Sequence, residues 1–198
     1  MMPVTESDEV VGRREGRKSA PRFGVFAWRV IALQIVTYFL AGITAFFLFN
    51  YESLFETAAL RDFMRPVNSV WVALGPALQV FRGLLFAIVL FPIADLILSR
   101  KRGWLILWGL FVGLATLGTV GPSPGSFEGV LYTKVPLISH LTGLPEVLSQ
   151  TLLFSIGLVA WCRRPARWHN VVAIVAVVLI VAMSVLGALA AAGLLPKA

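Results

Sequence analysis

Charge is scarce in this sequence: Asp, Glu, Lys and Arg make up 14% of its 198 residues, where a soluble domain usually carries about 25%. So few charges cannot cover a water-exposed globular surface. Cysteine is scarcer still. Cys162 stands alone, which excludes a disulfide within the chain. Its place beside Arg163 and Arg164 fits a reactive thiol or, more simply, a small packing residue at a helix end. The two histidines, His140 and His169, fall at opposite ends of the apolar pattern, and no Cys, His or carboxylate group has metal-ligand spacing. No phosphate loop, nucleophile elbow or haem-attachment motif occurs, so no cofactor is expected. An internal repeat is missing too, and five apolar stretches cannot divide into the equal halves of an inverted-repeat transporter.

What the sequence has in plenty is apolar mass, with 58% hydrophobic residues and a mean hydropathy of +0.85. The net charge of +7 does not point to nucleic acid, because the basic residues sit in short clusters beside apolar runs. The expected fold is therefore an all-α polytopic membrane protein. A charged tail over residues 1–22 precedes a single transmembrane domain over 23–198. About five spans are expected, near 25–49, 71–98, 104–120, 146–162 and 170–195, each near the roughly 20 residues that a bilayer core requires. The first run follows a long charged tail and is too long for a signal h-region, so it is read as a retained helix. Pro145 and Glu146 suit the first turn of the short fourth span, where a missing N–H is harmless and an acid meets the helix dipole.

Basic residues set the orientation. Eleven of them (the tail cluster, Arg100 to Arg102, and Arg163, Arg164 and Arg167) fall on one side, against four (Arg61, Arg65, Lys134, Lys197) on the other. The positive-inside rule then puts the N-terminus in the cytoplasm of a bacterial-type inner membrane and the C-terminus outside. Trp28, Trp71, Trp104, Trp161 and Trp168 lie near span ends, as interfacial anchors do.

Two longer segments face the outer side. Residues 51–68 place Tyr51, Leu54, Phe55, Ala58, Ala59 and Phe63 on one helical face, the pattern of an amphipathic helix in the interface or over the bundle mouth. Residues 121–145 are rich in glycine and proline, which forbids a continuous helix, yet their second half is apolar enough to require burial. Non-helical backbone at membrane depth needs protein or a water-filled cavity against it.

Arg82 is the most informative residue. It lies about 16 Å inside the second span, where an arginine is costly and must find a partner. Gln79 shares its helix face one turn earlier, and Pro76 breaks a backbone hydrogen bond just above. Candidate partners come from the outer side: Glu128 first, then Glu146, with His140 and Gln150 within the same half of the membrane. Asp95 is expected to pair instead with the neighbouring basic turn. The series Gly109–Gly113 and Ser184, Ala188, Ala192 predicts close helix packing.

These features suit a non-catalytic component of a membrane assembly, or a small binding protein with an outward-facing polar site around Arg82. A small channel or transporter for an anionic or lipid-like solute is the alternative. A second is an intramembrane enzyme using Glu128, His140 and Arg82 on a lipid-linked substrate. The expected partners are the lipid bilayer and either further membrane subunits or copies of the same chain, with no nucleic acid.

Overall fold

Each apolar run becomes a helix because a backbone in lipid must satisfy its own polar groups. The computed structural model describes residues 21–57, 60–62 and 64–194. The expected tail and Lys197 therefore lie outside the described residues, apart from residues 21 and 22. Helix α1 spans Phe23–Phe49 and ends at Asn50, whose φ of 46° is the left-handed conformation that Asn tolerates better than other side-chain-bearing residues. A short α2, Tyr51–Phe55, follows. Helix α3, Val70–Leu90, opens on the Ser69 hydroxyl, which accepts from the Val72 amide. A 3₁₀ turn at Phe91–Ile93, forced by Pro92, joins it to α4, Ala94–Ser99. Helix α5, Gly103–Leu110, widens into a π-helix over Phe111–Leu117. Short helices α6, Phe127–Tyr132, and α7, Leu137–Thr142, precede α8, Leu144–Arg163, and α9, Arg167–Ala191.

Four helical segments are long and apolar enough to cross a membrane: Phe23–Phe49, Val70–Ser99, Leu137–Arg163 and Arg167–Ala191. This is an all-α membrane architecture. The expected third span is shorter than predicted. It stops at Leu117 rather than residue 120, and at 15 residues (Gly103–Leu117) it falls below the length of a bilayer core. Of the amphipathic helix expected over 51–68, the described residues keep the stretch Tyr51–Phe55 as helix, while Ala58, Ala59 and Phe63 of its expected apolar face lie outside the described residues. Pro66 and the competing turn hydrogen bonds at Thr57 and Leu60 interrupt the expected helix. The segment 121–145 forms α6 and α7, separated by an extended stretch through Pro136.

Helix α1 is the centre of the bundle and packs on α3, α8 and α9; α3 also packs on α9, and α5 on α8. Helices α1 and α3 approach closely at Gly83, where a Cβ would stand 2.8 Å from the Ile31 Cα. Helix α9 meets α3 at its small residues, with Ser184 bonded into the α3 backbone at Pro76. Gly109 and Gly113 pack less tightly than expected, since a Cβ on either would meet nothing within 4 Å.

The apolar core occupies the half of the bundle nearest the basic turns. Phe26, Val30, Leu90, Leu107, Phe154 and Leu158 are its buried centre. Arg163 clasps that end by donating to the backbone carbonyls of Leu98, Arg100 and Lys101, the free C-terminal groups of α4 and its turn. The opposite half is cavity rather than core. Helix α3 and the π-helix flank it without extended packing between them, though Phe86 and Phe111 meet at 5.0 Å between ring centroids.

Candidate functional site

The floor of the cavity is aromatic. Phe86, Phe111 and Phe154 contact one another at centroid distances of 5.0, 5.4 and 6.2 Å and separate the core from what lies above. Directly above them is a chamber of about 180 Å³, with Arg82 in its wall. That volume holds several waters or one phosphate- or carboxylate-sized group. The Arg82 guanidinium lies over the Phe86 ring, 5.3 Å from its centroid, in cation–π geometry.

The rest of the wall is uncharged and mixes polar side chains with the apolar Ala115, Pro124 and Val147. Gln34, Thr116, Thr151 and Gln150 line the chamber together with Ser123 and Pro124 from the 121–145 segment. Gln34 donates to the Gln79 side chain at 3.0 Å across the α1–α3 contact, and Gln79 donates back to the Gly75 carbonyl at 3.4 Å. Gln150 is buried, at 8% exposure, and among the described residues its amide has no hydrogen-bond partner, so it is open to the chamber. The Thr116 and Thr151 hydroxyls donate to backbone carbonyls of their own helices, which leaves their oxygen lone pairs free to accept.

No described carboxylate stands within 4 Å of Arg82. Glu128, the first expected partner, lines neither this chamber nor its neighbour. It sits in the first turn of α6, behind the Ser126 cap, where helix geometry fixes it. Glu146 is closer to expectation. It occupies the first turn of α8 and accepts from the Tyr51 hydroxyl. Tyr38 lies within electrostatic range of both Glu146 and Arg82. Burial first, and then the bond to Glu146, push the Tyr51 hydroxyl well above its ordinary pKa.

A second chamber of about 670 Å³ adjoins the first and shares Thr116, Pro124 and Val147 with it. Its walls are mostly apolar: Phe39, Phe46, Leu54, Leu60, Met64 and Trp71 among them. The polar groups in it include Tyr38, Tyr51, Ser139, His140 and Thr142, and it holds one acid, Glu146, and one arginine, Arg65. Leu54, Phe55, Leu60 and Met64 thus close over the mouth of the bundle even though they share no long helix.

His140 is 2% exposed and holds the 121–145 segment together. Its Nδ1 accepts from the Gly125 amide at 3.1 Å, and its Nε2 lies 3.4 Å from the Thr133 hydroxyl. Gly125, with φ of +85°, is in a conformation that glycine adopts without strain. Arg82, Glu128 and His140 therefore do not converge on one chamber. Arg82, Gln79, Gln150 and Glu146 do belong to one connected polar region. Gln34 and Tyr38 complete that region. Gln34 stood among ordinary polar residues of a span, and Tyr38 carries no anomaly in an apolar run; only the contact with α3 distinguishes them.

The chain matches no protein-family model, no curated protein and no solved structure.

Proposed function

We propose that this chain is a multi-pass binding protein of a bacterial-type inner membrane, N-terminus cytoplasmic, acting alone or as a non-catalytic subunit of a membrane assembly. Its ligand is an amphiphile with an anionic head. The head sits at Arg82 among the Gln34, Gln150, Thr116 and Thr151 side chains, and the apolar body fills the larger chamber. One observation carries this reading: Arg82 faces a chamber of neutral hydrogen-bonding groups with no described carboxylate within 4 Å. A cation at membrane depth needs a counter-charge, and guanidinium presents a planar fork that suits carboxylate or phosphate. The separation between α3 and the π-helix favours entry sideways from the lipid layer, the route an amphiphile takes. π-Helical turns also occur frequently at functional sites, and Thr116 of this one lines both chambers.

The test is to purify the protein in a mild neutral detergent, extract what co-purifies, and identify it by mass spectrometry. An acidic amphiphile near one per chain should accompany the wild type and be lost from Arg82→Gln. Recovery of the same amphiphile in equal amount from both would overturn the reading. Orientation rests on the eleven-to-four charge count; impermeant labelling at Arg102→Cys but not Tyr132→Cys in intact cells, in a Cys162→Ala background, would overturn that part.

A further inference from the structure

Three buried side-chain nitrogens lack any partner among the described residues: Nε of Arg29, Nε1 of Trp161 and Nδ1 of His169. They are not scattered. The Arg29 guanidinium lies 5.8 Å from the Trp161 ring centroid, and the Trp161 and His169 rings are 6.1 Å apart. Arg29 and Trp161 are 6% and 7% exposed, so water does not satisfy them freely, and buried polar atoms in folded proteins are nearly always paired. The cluster stands at the basic end of the bundle, where α8 finishes, Arg164 follows, and α9 begins with no side-chain cap on its first amides.

A groove leads away from it. Helices α8 and α9 both pack on α1 without extended packing between themselves. The space they leave is about 450 Å³, and its lining is almost wholly apolar away from Trp161, Arg164 and His169. Leu33, Val36, Ala160, Val172 and Ala176 form its long walls. The groove does not meet the chambers at Arg82, with which it shares no lining residue.

We propose that this groove is a site for one anionic phospholipid, its phosphate held by Arg164, Trp161 and His169, with Arg29 behind the Trp161 ring adding positive charge, and an acyl chain laid along α1. The charge and the orphaned donors specify a phosphate, since N–H groups around a cation bind an anion with several acceptor oxygens. The continuous apolar walls specify a lipid phosphate over a free one. The basic residues of the adjoining turn, Arg163, Arg164 and Arg167, add attraction to an acidic headgroup. This site is independent of the ligand assigned to Arg82.

Native mass spectrometry of the full chain, released from nanodiscs of equimolar phosphatidylglycerol and phosphatidylcholine, tests the proposal. The wild type should retain one phosphatidylglycerol in about tenfold preference to phosphatidylcholine, the ratio that one good charge-assisted contact supplies. Arg164→Gln and Trp161→Phe should each bring the ratio close to one, while Arg61→Gln, at a residue that lines neither the groove nor the two chambers, leaves it unchanged. Trp161→Phe keeps an aromatic ring, so it serves if Arg164→Gln does not yield a monodisperse protein. Equal retention of both lipids by the wild type would overturn the site. So would an undiminished preference in the folded variants, or displacement of the lipid by millimolar inorganic phosphate. Loss of preference in Arg82→Gln alone would assign the lipid to the other chamber and overturn this one.

Discussion

The Ser184 hydroxyl donates to the carbonyl oxygen of Ala73, and its own oxygen accepts from the Ala77 amide at 3.3 Å. Residues 73 and 77 are the pair that an unbroken α-helix would bond directly. Pro76, between them, has no N–H and crowds the carbonyl of Val72, so α3 opens at this point and a side chain from α9 enters the gap. Proline at this depth is tolerated because a neighbouring helix satisfies the freed groups.

Ser184→Ala should therefore destabilise the protein more than an ordinary membrane hydrogen bond does. Such bonds average about 0.6 kcal/mol, but here one hydroxyl serves two backbone groups, and about 1–3 kcal/mol is expected. Adding Pro76→Ala should recover part of that loss, because the helix can close and bond residues 73 and 77 itself. A double-mutant cycle read by thermal unfolding in detergent measures the coupling. Simple additivity would show that Ser184 does not compensate for the proline.

Gly83 and Gly187 make a second comparison. A methyl group at Gly83 meets the Ile31 Cα at 2.8 Å, a backbone atom that cannot move alone, while at Gly187 it meets the Ala73 Cβ at an ordinary 3.6 Å. Gly83→Ala should cost about 1–3 kcal/mol by overpacking and part the Gln34–Gln79 pair beside it. Gly187→Ala should be neutral or slightly stabilising, because alanine is the better helix former. Melting temperatures of the two variants in one detergent decide the matter; equal effects would contradict the close α1–α3 approach.

The bundle was legible in the sequence because hydrophobic runs announce helices in lipid. Arg82 was legible for the converse reason, as a charge where none is cheap. The partner of a charge within a span is a different problem. Glu128 and Glu146 are both acids on the same side, and only the folded course of 121–145 places one at a chamber and the other away from it. The π-helix at Phe111–Leu117 left no mark either, since one extra residue in a turn changes no hydropathy pattern. Arg29 escaped notice although it, too, is a charge within an apolar run. Its nearness to the end of α1 made it resemble one more basic residue of the flanking cluster.

The Tyr51–Glu146 bond predicts a specific response to pH. The raised Tyr51 pKa means that the fold prefers its neutral hydroxyl. The stability this gives is complete below the unfolded value of about 10 and is lost as pH rises beyond it toward the higher folded value. Tyr51→Phe removes the bond and should cost about 1–2 kcal/mol at neutral pH. The gap in melting temperature between wild type and Tyr51→Phe should stay constant up to about pH 9.5 and narrow above about pH 10. A gap that widens with alkalinity would mean that the ionised phenolate is the form bound.

Arg82 offers the sharpest thermodynamic test, because the two roles it can play have opposite signatures. A buried arginine paired with a carboxylate leaves an uncompensated charge when truncated, at a cost of about 3–5 kcal/mol. No described carboxylate stands within 4 Å of Arg82, so Arg82→Ala strands nothing. It removes a partly desolvated cation and its contact with Phe86, and the ligand-free protein in neutral detergent should change by less than about 1 kcal/mol. The ligand-bound comparison should differ. A ligand that binds only the folded state stabilises it by about 2.7 kcal/mol at a concentration one hundred times its Kd. Dodecyl phosphate is a suitable probe, with dodecanol supplying the same chain without the charge. The wild type should gain thermal stability with dodecyl phosphate in a saturable manner and far less with dodecanol, and Arg82→Ala should lose the difference between them. A large fall in the stability of Arg82→Ala without any ligand would instead make Arg82 a structural ion-pair partner, and equal stabilisation by both probes would leave the chamber without selectivity for an anion.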